Sequence, residues 1–211
     1  MKIPLAKEGF IFIMPLLVMT ILTCALSFYW AAVFFGLSFL FVTWFFRDPE
    51  RRIPNEPNVI VSPADGKVTE IMTEKEPING ELCKRITIFL SVFNVHVNRV
   101  PIGGTIEDIR YNPGKFLAAF NPKASMDNEQ NIILINNGKV NVLVKQIAGL
   151  IARRIVCWPK KGDYYESGQR YGLIRFGSRV DILLPENTKL SVACGDRVRG
   201  GKSVIGYLNL S

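Results

Sequence analysis

The sequence predicts a mainly β domain held behind an N-terminal transmembrane helical hairpin. Three observations predict it. Residues 10–46 contain no charged side chain, a run of 37 positions. After it, short β-branched runs recur between glycine, proline and asparagine turns, the pattern of strands. Finally, residues 59–68 read as strand, turn, strand around Asp65-Gly66, and 180–184 as a strand closed by Pro185.

The uncharged run comes first. As one helix, 37 residues would span roughly 55 Å against a hydrocarbon core of roughly 30 Å. Two short passes, 10–26 and 31–46, fit better. Ser27-Phe28-Tyr29-Trp30 would turn between them, with Tyr29 and Trp30 at the interface. The run is too long for a secretory signal and lacks a small-x-small cleavage site. A buried helix pair in a soluble core is the competing reading, and so long an uncharged stretch disfavours it. Lys2 and Lys7 precede the run, and Arg47, Arg51 and Arg52 follow it. The positive-inside rule then puts everything from Arg47 onward in the cytoplasm. A single tilted pass would move only the N-terminus to the other side. Pro49, Pro54 and Pro57 make the next stretch extended and stiff. The expected organisation is a membrane anchor over 1–46, a linker over 47–58 and a catalytic β domain over 59–211.

Charge narrows the partner. The net charge is +8, and Lys2, Lys7 and Glu8 are the only charges before Arg47. The β domain is therefore basic and suits an anionic partner. No nucleic-acid motif is visible, so an acidic membrane surface is the better match. Cys24, Cys83, Cys157 and Cys194 are scattered without metal-ligand spacing, so no metal site is expected and the thiols read as reduced. His96 is the only histidine, so any imidazole chemistry must use it.

Residues 59–68 read as strand, turn, strand, with Asp65-Gly66 at the turn. Residues 85–92 read as another strand. In the segment after it, Asn94, His96 and Asn98 alternate with Phe93, Val95 and Val97, which puts His96 on the polar side of an extended stretch. Residues 111–125 form a loop with an apolar centre, in which Lys115 and Lys123 flank Phe116, Leu117 and Phe120. Such a loop is either a short core turn or a lid that dips into a bilayer, lysines at phosphate depth. Residues 131–134 and 140–147 are strands around the Asn136-Asn137-Gly138 turn. Arg153 and Arg154 are either a solvated pair or a site for an anionic head group. Residues 162–171 read as a polar connection. It leads into Gly172-Leu173-Ile174-Arg175-Phe176-Gly177-Ser178-Arg179-Val180-Asp181, and residues 180–184 form a strand closed by Pro185. Gly177-Ser178 alone is most often an ordinary turn, but at the entry to a strand it can also hold a strained backbone.

The long string from Gly172 to Asp181, with Leu184-Pro185, resembles the self-processing site of phosphatidylserine decarboxylases. Ser62-Pro63-Ala64-Asp65-Gly66, the His96 segment, Gly114-Lys115-Phe116 with Lys123-Ala124-Ser125, and 146–156 resemble the same family. Residues 192–206 look like the second half of a barrel-sandwich hybrid, as in lipoyl domains, and that likeness implies that they pair with 59–68 in a compact all-β core. The resemblance implies cleavage between Gly177 and Ser178, giving a large chain 1–177 and a small chain 178–211. Ser178 would become a pyruvoyl group, the only cofactor implied. It further implies catalytic roles for Ser178, His96 and Asp65, with Asp65 in self-processing, and phosphatidylserine as the membrane substrate. Lys115, Phe116, Lys123, Arg153 and Arg175 are the expected substrate contacts, with Arg179 or backbone N–H groups as alternatives. Two departures stand out. Many larger members carry His-x-x-His, where this chain has His96 and then Arg99, and Gln130 stands where an arginine is expected after Asn128-Glu129. One histidine must then cover self-cleavage and decarboxylation, or Arg99 or a water replaces the second.

The chemistry fits the resemblance. Decarboxylating an amino acid needs an electron sink for the carbanion at Cα, which no side chain supplies. In the expected reaction Ser178 Oγ attacks the Gly177 carbonyl, and elimination and hydrolysis leave pyruvoyl and ammonia. A Schiff base with the substrate amine then allows CO₂ to leave and yields phosphatidylethanolamine. The rivals are a membrane-anchored noncatalytic β binding module and a pyruvoyl decarboxylase of a soluble amino acid.

Overall fold

The computed structural model describes residues 4–77, 80–114, 128–149, 154–175 and 178–209. Lys115, Phe116, Lys123, Arg153 and Gly177 lie outside them. The chain divides into two compact units, Met1–Glu50 and Arg51–Ser211.

The first unit is helical. A 3-10 turn, Lys7–Gly9, leads into α1 (Phe10–Ala25), and α2 (Tyr29–Phe45) packs against it. Ser27 takes a left-handed φ of 61°, which lets three residues reverse the chain. Tyr29 and Trp30, expected in the turn, are instead the first residues of α2, because the Phe28 carbonyl already accepts the Ala32 N–H at 3.0 Å. Thr20, Thr23 and Ser38 donate their hydroxyls to the carbonyls four residues back. These three hydroxyls are thus satisfied within their own helices, as an apolar surrounding requires. Ile11, Val18, Ile21, Trp30, Phe34, Leu37 and Leu40 are exposed along them. Lys7–Ala25 is 19 residues long and apolar enough to cross a membrane by length and composition, whereas Tyr29–Phe45 is shorter. The open end is tied by Ala6 N–H to Phe46 O at 2.8 Å and Asp48 N–H to Pro4 O at 2.7 Å.

The second unit is built of strands: β1 (Val59–Val61), β2 (Gly66–Lys75), β3 (Leu82–Leu90), β4 (Val97–Arg99), β5 (Gly104–Asn112), β6 (Gln130–Asn136) and β7 (Asn141–Ala148). They continue as β8 (Ile155–Cys157), β9 (Tyr164–Tyr165), β10 (Arg170–Ile174), β11 (Ser178–Pro185), β12 (Lys189–Leu190), β13 (Arg197–Val198) and β14 (Val204–Tyr207). A sheet of eight has the order β13-β2-β3-β11-β7-β6-β5-β9. Two sheets of three have the orders β4-β10-β8 and β1-β14-β12. The large sheet curls, and its register shifts at 68/70 in β2 and 106/108 in β5 mark bulges that steepen the twist.

The core lies on the inner face of the large sheet. Val180, Ile182 and Leu184 of β11 point there with Ile86 and Ile88 of β3 and Val144 of β7, all fully or almost fully buried. The intervening Arg179 and Asp181 face the other side, as strand alternation requires. The separated segments 59–68 and 192–206 do pair: β1 lies against β14 and β2 against β13, both antiparallel. Residues 62–65 are therefore no hairpin turn but the connection from one sheet to another. The expected polar connection 162–171 holds β9 and the first residues of β10.

Candidate active site

Ser178 opens β11. Its neighbours across the ladder are Leu90 of β3 and Ala148 of β7, so it is clamped on both sides and fully buried. The strand preceding it, β10, belongs to the small sheet β4-β10-β8, whereas β11 is central in the large one. The chain thus changes sheets between Ile174 and Ser178. The Ser178 Oγ is buried and without a hydrogen-bond partner among the described residues. A hydroxyl in that state is costly unless something else uses it.

His96 ends the loop before β4 and is 2% exposed. Its carbonyl accepts the Ile174 N–H at 3.3 Å, which puts it beside the crossover. Its Nδ1 lies 2.9 Å from the Asn94 carbonyl. A carbonyl only accepts, so Nδ1 carries the proton and Nε2 is the basic nitrogen of the neutral ring. Burial, rather than the exposed polar side of a strand, is where the fold puts this imidazole.

Asp65 sits on the connection between β1 and β2. Its Oδ1 accepts the Gly200 N–H at 2.7 Å and its Oδ2 accepts from Arg51 at 2.9 Å. Both side chains of that ion pair are almost buried, with relative exposures of 11% and 12%. Asp65 is thus held at the far end of β4 from His96. The backbone says the same, since the neighbouring Pro63 carbonyl accepts from Arg99 N–H at 2.9 Å. Arg99 itself is buried and donates from Nη1 to the Gly168 carbonyl at 3.0 Å. A guanidinium does not release its proton in a protein, so Arg99 takes no base role.

Arg175 is half-buried, and its backbone N–H donates to the Arg154 carbonyl at 3.3 Å. It flanks the crossover. Arg179 is committed elsewhere. On the face opposite Ser178 it forms a two-point pair with Asp181, at 2.6 and 2.8 Å, and reaches Thr87 at 3.3 Å. No cluster of three or more His, Cys, Asp or Glu side chains suited to a metal exists among the described residues.

The fold adds residues that the sequence did not single out. Asn98, Gln146 and Asn131 are buried and hydrogen-bonded in series. Asn131 also bonds the Cys157 thiol, whose pKa burial pushes up. At the Ser178 end, Asn128 Nδ2 donates to the Ala148 carbonyl at 2.7 Å, and the Ala148 N–H donates to the Glu129 carbonyl at 3.0 Å. Glu129 Oε1 accepts from Tyr111 at 3.0 Å and from the Ile155 N–H at 3.2 Å. The one signal in the sequence was polarity inside an otherwise apolar strand, as at Gln146.

Fold and site define a class: a β enzyme built around a buried serine at a sheet crossover, with one buried imidazole on the segment that meets the strand leading into it. Comparison with known proteins narrows it. The family model for phosphatidylserine decarboxylase matches residues 39–206. The chain is 46% identical over 206 residues to the phosphatidylserine decarboxylase proenzyme of Geotalea uraniireducens, covering 97% of each. It is 46% identical over 210 residues to that of Desulfotalea psychrophila, covering 98% of each. It is 48% identical over 208 residues to that of Symbiobacterium thermophilum, covering 97% of this chain and 95% of the relative. The chain belongs to the phosphatidylserine decarboxylase family.

Proposed function

We propose that this chain is a proenzyme that cuts itself between Gly177 and Ser178 and then decarboxylates phosphatidylserine to phosphatidylethanolamine at a membrane. The observation that carries the reading is the fully buried Ser178 with its unpartnered hydroxyl, in a chain whose relatives are named proenzymes. Burial keeps bulk water from the serine, and the clamp of β3 and β7 fixes its direction.

Ser178 Oγ adds to the preceding carbonyl carbon, and His96 takes the hydroxyl proton through Nε2. Asp65 contributes through the charge arrangement it forms with Arg51 at the other end of β4. Elimination and hydrolysis convert residue 178 to a pyruvoyl group. The site fits that group, because Ser178 is small, interior and has no hydrogen bond to surrender. When formed, its carbonyl is the sink for the electron pair left on the substrate's Cα as CO₂ departs. His96 then serves as the group that returns a proton. Arg175, together with Lys115, Lys123 and Arg153, receives the carboxylate and phosphate of the head group, and Phe116 meets the acyl region.

The two products of cleavage, 1–177 and 178–211, stay together as one enzyme, with the β unit on the cytoplasmic face. Support for the anchor is the apolar Lys7–Ala25 segment and the cations that follow α2.

The test is an intact-mass measurement on purified protein with a phosphatidylserine assay in mixed micelles. Two chains, the smaller one beginning with a pyruvoyl-capped residue 178, and release of CO₂ are expected. A wild-type protein that stays whole and inactive would exclude the reading. Turnover of free serine at a comparable rate would move the substrate to a soluble amino acid.

A further inference from the structure

The buried amides form a chain with a direction. Asn131 Nδ2 donates to Gln146 Oε1 at 3.1 Å, and Gln146 Nε2 donates to Asn98 Oδ1 at 2.8 Å. The oxygens of Gln146 and Asn98 are each committed to the member before, so the orientation of the last amide is set. Asn98 must therefore present its NH₂, and that Nδ2 is buried with no partner among the described residues. Asn98 is fully buried, as is Gln146. The series thus ends in a held donor with nothing to donate to.

One hydrogen bond links it to the face of the large sheet that carries the other orphan, the Ser178 hydroxyl. Gln146 pairs with Val180, and Ala148 pairs with Ser178. Gln146 and Ser178 are therefore diagonal neighbours on the same face, about 7–8 Å apart between backbones. Asn98 lies across from Gly172 of β10, two residues after His96 in sequence. A side chain at Gly172 would run into the Val156 carbonyl, so β10 and β8 lie close at this level. Three elements of the site thus converge: the strand of the serine, the strand that supplies Gln146, and the strand that follows the imidazole.

Donors that serve a developing negative charge share this signature. They are aimed at where the charge will be, and they are unsatisfied before the reaction begins. Building on self-cleavage at Ser178, we propose that Asn98 Nδ2 is an oxyanion donor for that cleavage. As Ser178 Oγ bonds to the preceding carbonyl carbon, the π pair moves onto the carbonyl oxygen, and Asn98 donates to it. The serine proton goes to His96. The adduct collapses when the C–N bond breaks, its electron pair going to the residue 178 nitrogen, which takes the proton back. Gln146 is a positioning residue that keeps the NH₂ of Asn98 turned inward.

The test follows cleavage itself, with no need of the finished enzyme. Full-length chains are made by cell-free synthesis with liposomes, translation is stopped, and the appearance of the 178–211 fragment is timed on gels. Asn98→Ala and Asn98→Asp should slow cleavage about 10²–10³-fold, the usual loss for one such donor. Gln146→Glu should separate orientation from structure. Its ionised carboxylate cannot donate to Asn98 Oδ1, so the Asn98 amide turns round. Protonation restores a donor, so the ratio of variant to wild-type rate should rise as pH falls. A folded Asn98→Ala chain that cleaves at the wild-type rate overturns the proposal. If that variant does not fold, a Gln146→Glu ratio that stays flat with pH overturns it instead. If wild type itself never cleaves, the self-processing reading fails and takes this proposal with it.

Discussion

At the scale of single residues, the decisive fact is that the one imidazole is buried beside the crossover with its proton placed on Nδ1. Carboxylates normally titrate near pH 4, whereas an imidazole titrates near neutral pH, and general acid–base help is typically worth roughly 10²–10⁴ in rate. His96→Gln should therefore slow cleavage, turnover or both by about that factor, with little change in the thermal melt. The fraction cut at Ser178 and the release of CO₂, measured on one preparation, separate the two tasks. Wild-type values for both would remove His96 from the chemistry. Ser178, His96 and Asp65 could be proposed from the sequence because each lies in a string long enough to resemble a family. Asn98 and Gln146 were not, because 48 residues separate them and only the stacking of two sheets brings their amides to 2.8 Å. Arg51 was read as a flanking cation, and its pairing with Asp65 depends on where the linker runs.

At the scale of elements, β10 is the tightest. Gly172 has room for no Cβ because of the Val156 carbonyl, so Gly172→Ala must push β8 and β10 apart. Overpacking of this kind costs about 1–3 kcal/mol. A melting temperature lowered by several degrees and slower appearance of the 178–211 fragment are expected together, since Asn98 and His96 ride on the same small sheet. The pair of β2 and β3 offers a pH test. Burial, with Glu74 and Glu76 adding to it, pushes the Cys83 thiol from its ordinary 9.0 up to about 11. The folded chain thus keeps a proton that the unfolded chain gives up near pH 9. The stability linked to it is present below pH 9 and is lost as pH rises to about 11. Cys83→Ala should flatten the fall of the melting temperature across that window. Lys145, which burial holds below its ordinary value, acts in the opposite sense and is unchanged between the two proteins. Most strands could be seen in advance as β-branched runs. β9 could not, because two tyrosines in a polar, glycine-containing stretch carry no period.

At the scale of the whole molecule, the chain has two compact units, and the proposed anchoring can be tested apart from the chemistry. Membranes carrying the full chain and washed with carbonate should retain it, and release into the supernatant would mean surface attachment only. A chain of 51–211 keeps Arg51 with Asp65 and every strand, so it should fold and cut itself. It should lose most turnover on phosphatidylserine vesicles while keeping it in detergent micelles. The crossover between the two sheets has one more consequence. The small fragment 178–211 contributes β11 between β3 and β7, β14 beside β1 with β12 on its other side, and β13 beside β2. Cutting before Ser178 would therefore leave every pairing in place while changing the order of the folding reaction. The uncut chain finds its structure as a unimolecular event. The cut one, once melted, would have to find its other half by diffusion, so its recovery after heating should depend on protein concentration. Assembly instructions that hold only until the self-cut would make the mature enzyme a product of history as much as of sequence.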